Sequence, residues 1–336
     1  TPKRPDEIFS NYTYMSSFSD TWLGNCRHLF KALRSAGMIN ESSSVTEIAS
    51  NDGYMLRNFI DNGILDVQGI EPSVNAAKKA VENGIPTIND FFGYKLAKEI
   101  SADRKSDCVL ALNVLAHVPD IRDFLMGIHE ILAPDGFAIL EFHYLLNLIK
   151  DRLFDTIYHE HFSYLSLGTI HRLLPELGLR VSHARRIDTQ GGSLRIFITR
   201  DNEIAAYKYP VQKSVNKILK MESKYELHSL HRMQEFADVT LKTLENSRDF
   251  LMKLSSSGKI IAGYGASAKA TVQVNSIGVD RSIVSCIADM NPLKQDRLLP
   301  GTDIPVVAPS EMIRIKPDYV IIFPWNLKKE ISEYLR

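Results

Sequence analysis

The sequence is short of cysteine, of net charge and of long apolar runs, and each shortage removes a class of protein. Cys26, Cys108 and Cys286 are the three cysteines in 336 residues, far apart and with no C-x-x-C pair. That argues against a disulfide framework and against a cysteine-built zinc site, and a reducing, cytoplasmic setting is the expectation. Forty basic residues face forty acidic ones, so no overall field draws the chain to nucleic acid or to an anionic membrane, and any phosphate site has to be local. No run of about 18 apolar residues and no signal-peptide pattern occurs, so neither a membrane span nor export is expected. What is present is a globular composition, 44% apolar and 24% charged, in a chain long enough for two domains.

From Val45 onward, short β-rich runs alternate with helical patterns: VTEIAS, a helix from Tyr54, VQGIEP, a helix through VNAAKKAVENG, and SDCVLALNV. This is the rhythm of a parallel sheet with crossover helices. APDG reads as a turn into FAILEFHY, and GLRVSHARRI and SLRIFITR flank the polar loop DTQGGS, which suggests an antiparallel pair closing the sheet. Residues 202–254 carry Leu227, Leu230, Met233, Ala237, Leu241, Leu244 and Leu251 at helical spacing and predict a long amphipathic connecting helix. After the breaker SSSG, the runs KIIAGYGASAKA, VSCIAD and PDYVIIFPW restart the alternation. The expected domains are 1–200, a helical connector 201–257, and a smaller α/β unit 258–336.

EIASNDGYMLRNF, Glu47 to Phe59, ends a β-rich run in turn-forming residues ahead of a helix. A ligand at the carboxyl end of a first parallel strand meets backbone N–H groups there, provided the side chains are small. Ala49, Ser50 and Gly53 meet that need beside Asn51 and Asp52, although the full G-x-G-x-x-G is missing. Glu71, eighteen residues past Gly53, falls at the end of the next strand, where a carboxylate can accept both ribose hydroxyls of a nucleoside. Asp90 could bond an adenine amino group while Phe91 or Phe92 packs on the ring. Asn113 and His117 follow the fourth strand. An acidic ribose carboxylate suits NAD equally, so these residues alone leave the cofactor open. DTIYHEHFSYLS, Asp155 to Ser166, adds a hydroxyl, a carboxylate and imidazoles that titrate near neutrality, in twelve residues. GYGASAKA reads G-x-G-x-x-A after a strand, with Asp289 beyond it, a weak dinucleotide fingerprint when taken alone.

NYTYMSSFSDTW, EIASNDG, LNVLAHVPD, YHEHFSYLS, GGSLR, GYGASAKA, IADMNPLKQ and FPWN occur in this order. Together they resemble the C-methyltransferases of nucleotide-linked deoxysugars, the sugar C-3 methyltransferases, over nearly the whole chain. The resemblance implies a class I methyltransferase domain, a mostly parallel seven-stranded Rossmann-like sheet with an antiparallel last strand, followed by a smaller Rossmann-like α/β domain. It implies S-adenosylmethionine as cofactor, bound by Ala49, Asn51, Asp52, Gly53, Glu71, Asp90, Phe91 and Asn113. His117, Tyr158, Glu160 and His161 become catalytic candidates. Tyr12 and Tyr14, Gly192, and Gly265, Ser267 and Lys269 become candidates for holding a nucleotide-linked 4-keto-deoxysugar, with the last three at its diphosphate. The family carries an N-terminal zinc-binding module that is not seen here, which fits a trimmed or divergent member or chemistry to which zinc is dispensable. His143 stands where the family often has Pro.

Methylating a saturated sugar carbon requires a carbanion, which a neighbouring ketone makes accessible as an enolate, so a base and an oxyanion support are needed and no metal is. His161 is the expected base, Glu160 its orienting or charge-supporting partner, and Tyr158 with His117 the hydrogen-bonding groups around enolate and sugar. Rival readings are an O- or N-methyltransferase, an NAD-dependent sugar-nucleotide oxidoreductase or epimerase, and a non-catalytic nucleotide-sugar binding protein. The oligomeric state is not legible.

Overall fold

The computed structural model describes residues 4–10, 17 and 20–335; Tyr12 and Tyr14 lie outside them. By contact the chain divides into two compact units, one holding the residues up to Asn147 with His159–Leu227, the other Leu148–Tyr158 with everything from His228 onward.

The first unit is built on seven strands: β1 Val45–Ile48, β2 Val67–Ile70, β3 Thr87–Ile88, β4 Ser106–Leu112, β5 Leu132–His143, β6 Leu179–Ile187 and β7 Ser193–Arg200. Their order is β3-β2-β1-β4-β5-β7-β6. β1 to β5 pair in parallel, and β7 runs antiparallel to both β5 and β6. This is the expected mostly parallel sheet with an antiparallel last strand. β4 is buried along most of its length because helices cover both faces of a parallel sheet, which is why SDCVLAL reads as one apolar run. Trp22, Cys26, Phe30 and Leu33 of the helix Asp20–Ser35 pack with Phe59, Leu110 and Phe137, and each fully buried large side chain there contributes about 1.5–3 kcal/mol. All three cysteines are buried thiols.

Two expectations of local structure are corrected. APDG is part of β5: the pairing passes from Ser106↔Leu132 to Cys108↔Phe137, so the extra residues bulge out of a continuing strand. Gly136 is needed at that bulge, since a Cβ there would lie 2.8 Å from the Ser106 carbonyl oxygen. The long connecting helix is three helices, Glu203–Lys208, Lys213–Lys224 and Leu230–Ser256. Pro210, which cannot donate, separates the first two. Glu226, with φ of 54°, ends the second: its N–H bonds the Ser223 carbonyl and the Leu227 N–H the Glu222 carbonyl, at 3.0 and 3.1 Å, a Schellman closure with Leu227 buried beneath it. Ser229 Oγ then accepts from the Arg232 N–H at 3.2 Å and starts the third. The periodicity continued through these breaks, but the hydrogen-bond ladder could not.

The second unit holds β8 Ile261–Tyr264, β9 Ile287–Ala288, β10 Arg297–Leu298, β11 Pro305–Val307 and β12 Tyr319–Ile322, in the order β10-β11-β9-β8-β12. β8 lies between β9 and β12 and is parallel to both. The chain leaves β8 through GYGAS into the helix Ala268–Ile277, the smaller α/β unit that was expected. No helix among the described residues is long and apolar enough to cross a membrane.

Candidate active site

In an open parallel sheet the ligand crevice lies outside the carboxyl ends of the strands, where the winding reverses. In the first unit that point falls between β1 and β4. The backbone there is held in an uncommon state: Ala49, Asn51 and Asn113 have φ of 54°, 50° and 58°, a conformation that costs non-glycine residues about 1–3 kcal/mol each and collects at functional sites. Gly53, at 81°, has no alternative, because a Cβ would lie 2.5 Å from Ile85 Cγ1.

Glu71 caps β2 as expected, but its carboxylate is already working within the chain. One oxygen accepts from the Asn51 N–H and the other from the Ser73 N–H, each at 2.8 Å, so Glu71 fixes the loop after β1. Each oxygen keeps a lone pair for a further donor. Burial raises its pKa, and the two N–H bonds pull it back down. Around it, Ser50 Oγ, Asp52 Oδ1 and Asn113 Oδ1 are buried with no hydrogen-bond partner among the described residues. Buried acceptors of this kind are costly unless a donor meets them. Asp90 is exposed and accepts from the Phe91 N–H at 2.7 Å. Phe91 is 39% exposed, whereas Phe92 is taken up edge-on by Phe124, with ring centroids 5.3 Å apart, so of the two rings Phe91 has the free face.

One acidic member was not assigned from the sequence. Glu47, in the middle of β1, is buried. Burial pushes its carboxyl well above the usual range; a backbone hydrogen bond from Leu56 opposes this, and the charges of Glu71 and Asp52 add to the push. An acid at an inward position of a four-residue buried strand was the available signal.

The second constellation is a line of imidazoles. His117 ends a short 3-10 turn, Leu115–His117, directly after β4, and its Nδ1 lies 3.0 Å from the Glu160 carbonyl oxygen. In the neutral ring Nδ1–H then donates and Nε2 is the accepting nitrogen. The Phe162 N–H bonds the Ala116 carbonyl at 2.8 Å, which brings the EHF segment under the same turn. His161, 6% exposed, lies between His117 and His143, with centroid distances of 4.8 and 5.0 Å, and Tyr164 meets it edge-on at 6.3 Å. His143, unexplained from sequence, is thus a neighbour of the expected base. Burial lowers the pKa of His117 and raises that of Glu160. The Glu160 carboxylate has no hydrogen bond to His161 among the described residues; the tie to an imidazole runs from its backbone carbonyl to His117.

The stretch DTIYHEHFSYLS is neither helix nor strand from Ile157 to Tyr164. Tyr158 closes Leu148–Tyr158, the segment that belongs with the second unit. Gly192, with φ of 109°, leaves room for Asn147 Nδ2, 2.5 Å from where a Cβ would stand; its role is in the backbone. In the second unit Gly265, φ 87°, makes way for Pro324, 2.4 Å from a Cβ position. Ser267 Oγ accepts from the Ala270 N–H at 3.3 Å and caps the helix. Lys269 follows in that first turn, 5.8 Å above the Trp325 ring; burial lowers its pKa and the charge of Asp155 opposes this. Among the described residues no group of three or more His, Cys, Asp or Glu side chains could hold a metal ion.

Over 330 residues the chain is 33% identical to "C-methyltransferase NovU" of Streptomyces niveus, covering 98% of this chain and 77% of that protein. The chain belongs to the C-methyltransferase family. Two family models divide this C-methyltransferase between them: a methyltransferase domain matches residues 24–184 and a C-methyltransferase C-terminal domain residues 188–336. They meet where β6 ends. Among solved structures, magnesium protoporphyrin IX methyltransferase from Synechocystis PCC 6803 with bound SAM has a TM-score of 0.41 at 16% identity, over 53% of this chain and 79% of that one. The CcbJ methyltransferase from Streptomyces caelestis has 0.41 at 14%, over 53% and 90%.

Proposed function

We propose that this C-methyltransferase uses S-adenosylmethionine to methylate C-3 of a nucleotide-activated 4-keto-deoxyhexose by way of an enolate. The observation that carries the reading is His161, buried between two further imidazoles in a protein whose family transfers methyl groups to carbon. A carbon acid needs a base screened from water, and the His161 imidazole is buried.

The residues at the β1–β4 switch fit the cofactor. Its ammonium and ribose hydroxyls are donors, and Ser50 Oγ, Asp52 Oδ1 and Asn113 Oδ1 are acceptors without partners, with spare lone pairs on Glu71. Phe91 offers a ring face for the adenine and Asp90 a carboxylate for its amino group. When bound, S-adenosylmethionine supplies an electrophilic methyl group on a sulfonium. The remaining work falls to the chain. His161 takes the proton from the carbon beside the ketone, leaving the electron pair to spread onto the ketone oxygen as an enolate. His117 and Tyr158 are the hydrogen-bonding groups for the enolate and the sugar hydroxyls, and Glu160, whose pKa burial raises, is the orienting or charge-supporting group. The loop Gly265 to Ala268 and the Lys269 ammonium are the diphosphate site in this reading; the Gly265 and Ser267 N–H groups bond the Ala288 and Gly265 carbonyls at 2.7 and 2.8 Å, so the donors it relies on are the Ala266 and Ala268 N–H groups and Lys269.

A panel of dTDP-, GDP- and CDP-linked 4-keto sugars incubated with enzyme and S-adenosylmethionine tests this. One member is expected to gain the mass of one methyl group, located on carbon. A methyl on oxygen or nitrogen, or no gain with any member, contradicts the reading.

A further inference from the structure

Asp155 is buried, 3% exposed, and nothing in the methyl-transfer scheme uses it. It stands in the short 3-10 turn Phe154–Thr156, in the segment Leu148–Tyr158 that packs within the second unit. Its Oδ2 accepts two hydrogen bonds, from Gln273 Nε2 and from Trp325 Nε1, both at 2.7 Å. Gln273 is one turn along the helix from Lys269, on the same face. Trp325 opens the turn after β12, and β12 pairs with β8. One carboxylate oxygen therefore joins both sides of the switch point at which GYGAS leaves the sheet.

Lys269 completes the group. Its ammonium makes no hydrogen bond among the described residues and rests over the Trp325 ring, a distance at which cation–π attraction acts. Asp155 is the charged group that bears on it. The Lys294 ammonium, by contrast, is occupied with the Asp289 carboxylate at 3.4 Å and with the Ala266 carbonyl at 3.0 Å. A largely buried ammonium with no counter-charge is strongly disfavoured and gives up its proton. Here the counter-charge bears on the lysine, yet no ion pair within 4.0 Å joins Lys269 to Asp155 among the described residues, so the ammonium stays available to a ligand.

We propose that Asp155 is a positioning residue for the diphosphate site: it holds Gln273 and Trp325 in place, supplies the charge against which Lys269 stands ready for an anion, and by the same bonds seats the segment that ends in Tyr158. The inference rests on the reading of Lys269 as a diphosphate contact. It makes the strand-to-helix loop of the second unit and the start of the catalytic stretch one assembly, so an anion held at Lys269 bears on the placement of Tyr158, three residues beyond Asp155.

The two donors converge on a single oxygen, which makes Asp155→Asn a clean probe. The Asn carbonyl can accept both bonds, so the packing is kept and only the charge is removed. The chain has two tryptophans, and in a Trp22→Phe background Trp325 is the sole indole reporter. Titration of that protein with inorganic pyrophosphate, followed by Trp325 emission and by calorimetry, is expected to show binding that Lys269→Met abolishes. Asp155→Asn is expected to leave the unliganded emission unchanged and to weaken binding, through the protonation of Lys269 rather than through direct attraction of the anion. The loss should grow as pH rises, because Lys269 without its counter-charge is deprotonated at lower pH, and Asp155→Glu should recover affinity. Equal pyrophosphate affinity in Asp155→Asn and its parent at every pH would show the carboxylate to be a packing group and overturn the inference while leaving Lys269 in its role. Absence of binding in the Trp22→Phe parent, with pyrophosphate and with nucleoside diphosphates alike, would overturn the diphosphate site and the inference together.

Discussion

Replacing Glu71 by Ala should damage the protein in two separable ways. The carboxylate is 5% exposed and accepts the Asn51 and Ser73 N–H groups at 2.8 Å each, so its removal strands two buried backbone donors. Each such donor costs about 1–3 kcal/mol, and together they set an expected loss of about 2–6 kcal/mol, toward the lower end if the loop relaxes into water. The Asn51 bond also restrains a loop held at positive φ at Ala49 and Asn51, so cofactor affinity should fall along with stability. Glu71→Gln keeps one acceptor but turns an amide N–H₂ toward the second donor, and should lose a smaller amount. The pH dependence has a definite sign. The folded-state pKa of Glu71 is raised above its ordinary 4.5, so the wild-type contribution is complete below that value and declines as pH rises through the folded-state pKa. The deficit of the Gln variant should therefore be largest in acid and narrow as pH rises. Urea unfolding at several pH values reads the midpoint at constant slope, and calorimetry reads S-adenosylmethionine affinity. An alanine variant with wild-type stability and wild-type affinity would refute the account of this loop.

Two further outcomes follow from other buried groups. Glu222 accepts from the Tyr144 hydroxyl at 2.8 Å and from the Leu167 and Gly168 N–H groups at 2.7 and 2.8 Å, so Glu222→Ala should cost about 3–5 kcal/mol in urea unfolding; a shift under about 1 kcal/mol would mean that water replaces all three bonds. His117 is held below its ordinary 6.5 by burial, so its contribution to stability is complete above that value and declines as pH falls through it toward the folded-state pKa. His117→Asn should flatten that limb of the stability profile, and an unchanged slope would place the titration elsewhere.

Legibility in the sequence followed the range of the interactions involved. The strand and helix alternation, the antiparallel β6–β7 pair and the place of Glu71 were readable because they depend on periodicity and on short spacings. The break at Glu226 was not, since it rests on a left-handed residue with no glycine or proline to announce it, and APDG misled because a bulge uses the same residues as a turn. The loop after β1 was legible as a group of small and acidic residues, but the internal bonds of Glu71 needed the register of β1 against β2. His143 and Asp155 gain their meaning from partners 18 and 118 residues away in the chain, His161 and Gln273, and no local pattern carries that.

The base assignment is tested most directly by exchange of the substrate's α-proton with deuterated water. Wild-type enzyme with the 4-keto sugar nucleotide that the proposal requires should place deuterium at that carbon and transfer the methyl group to it. His161→Ala should retain the fold and S-adenosylmethionine affinity yet lose both exchange and methyl transfer, by about 10² to 10⁴ in rate, the usual contribution of a general base. A His161→Ala protein that exchanges the α-proton at the wild-type rate would contradict the account and pass the role of base to another group, with His117 the next candidate.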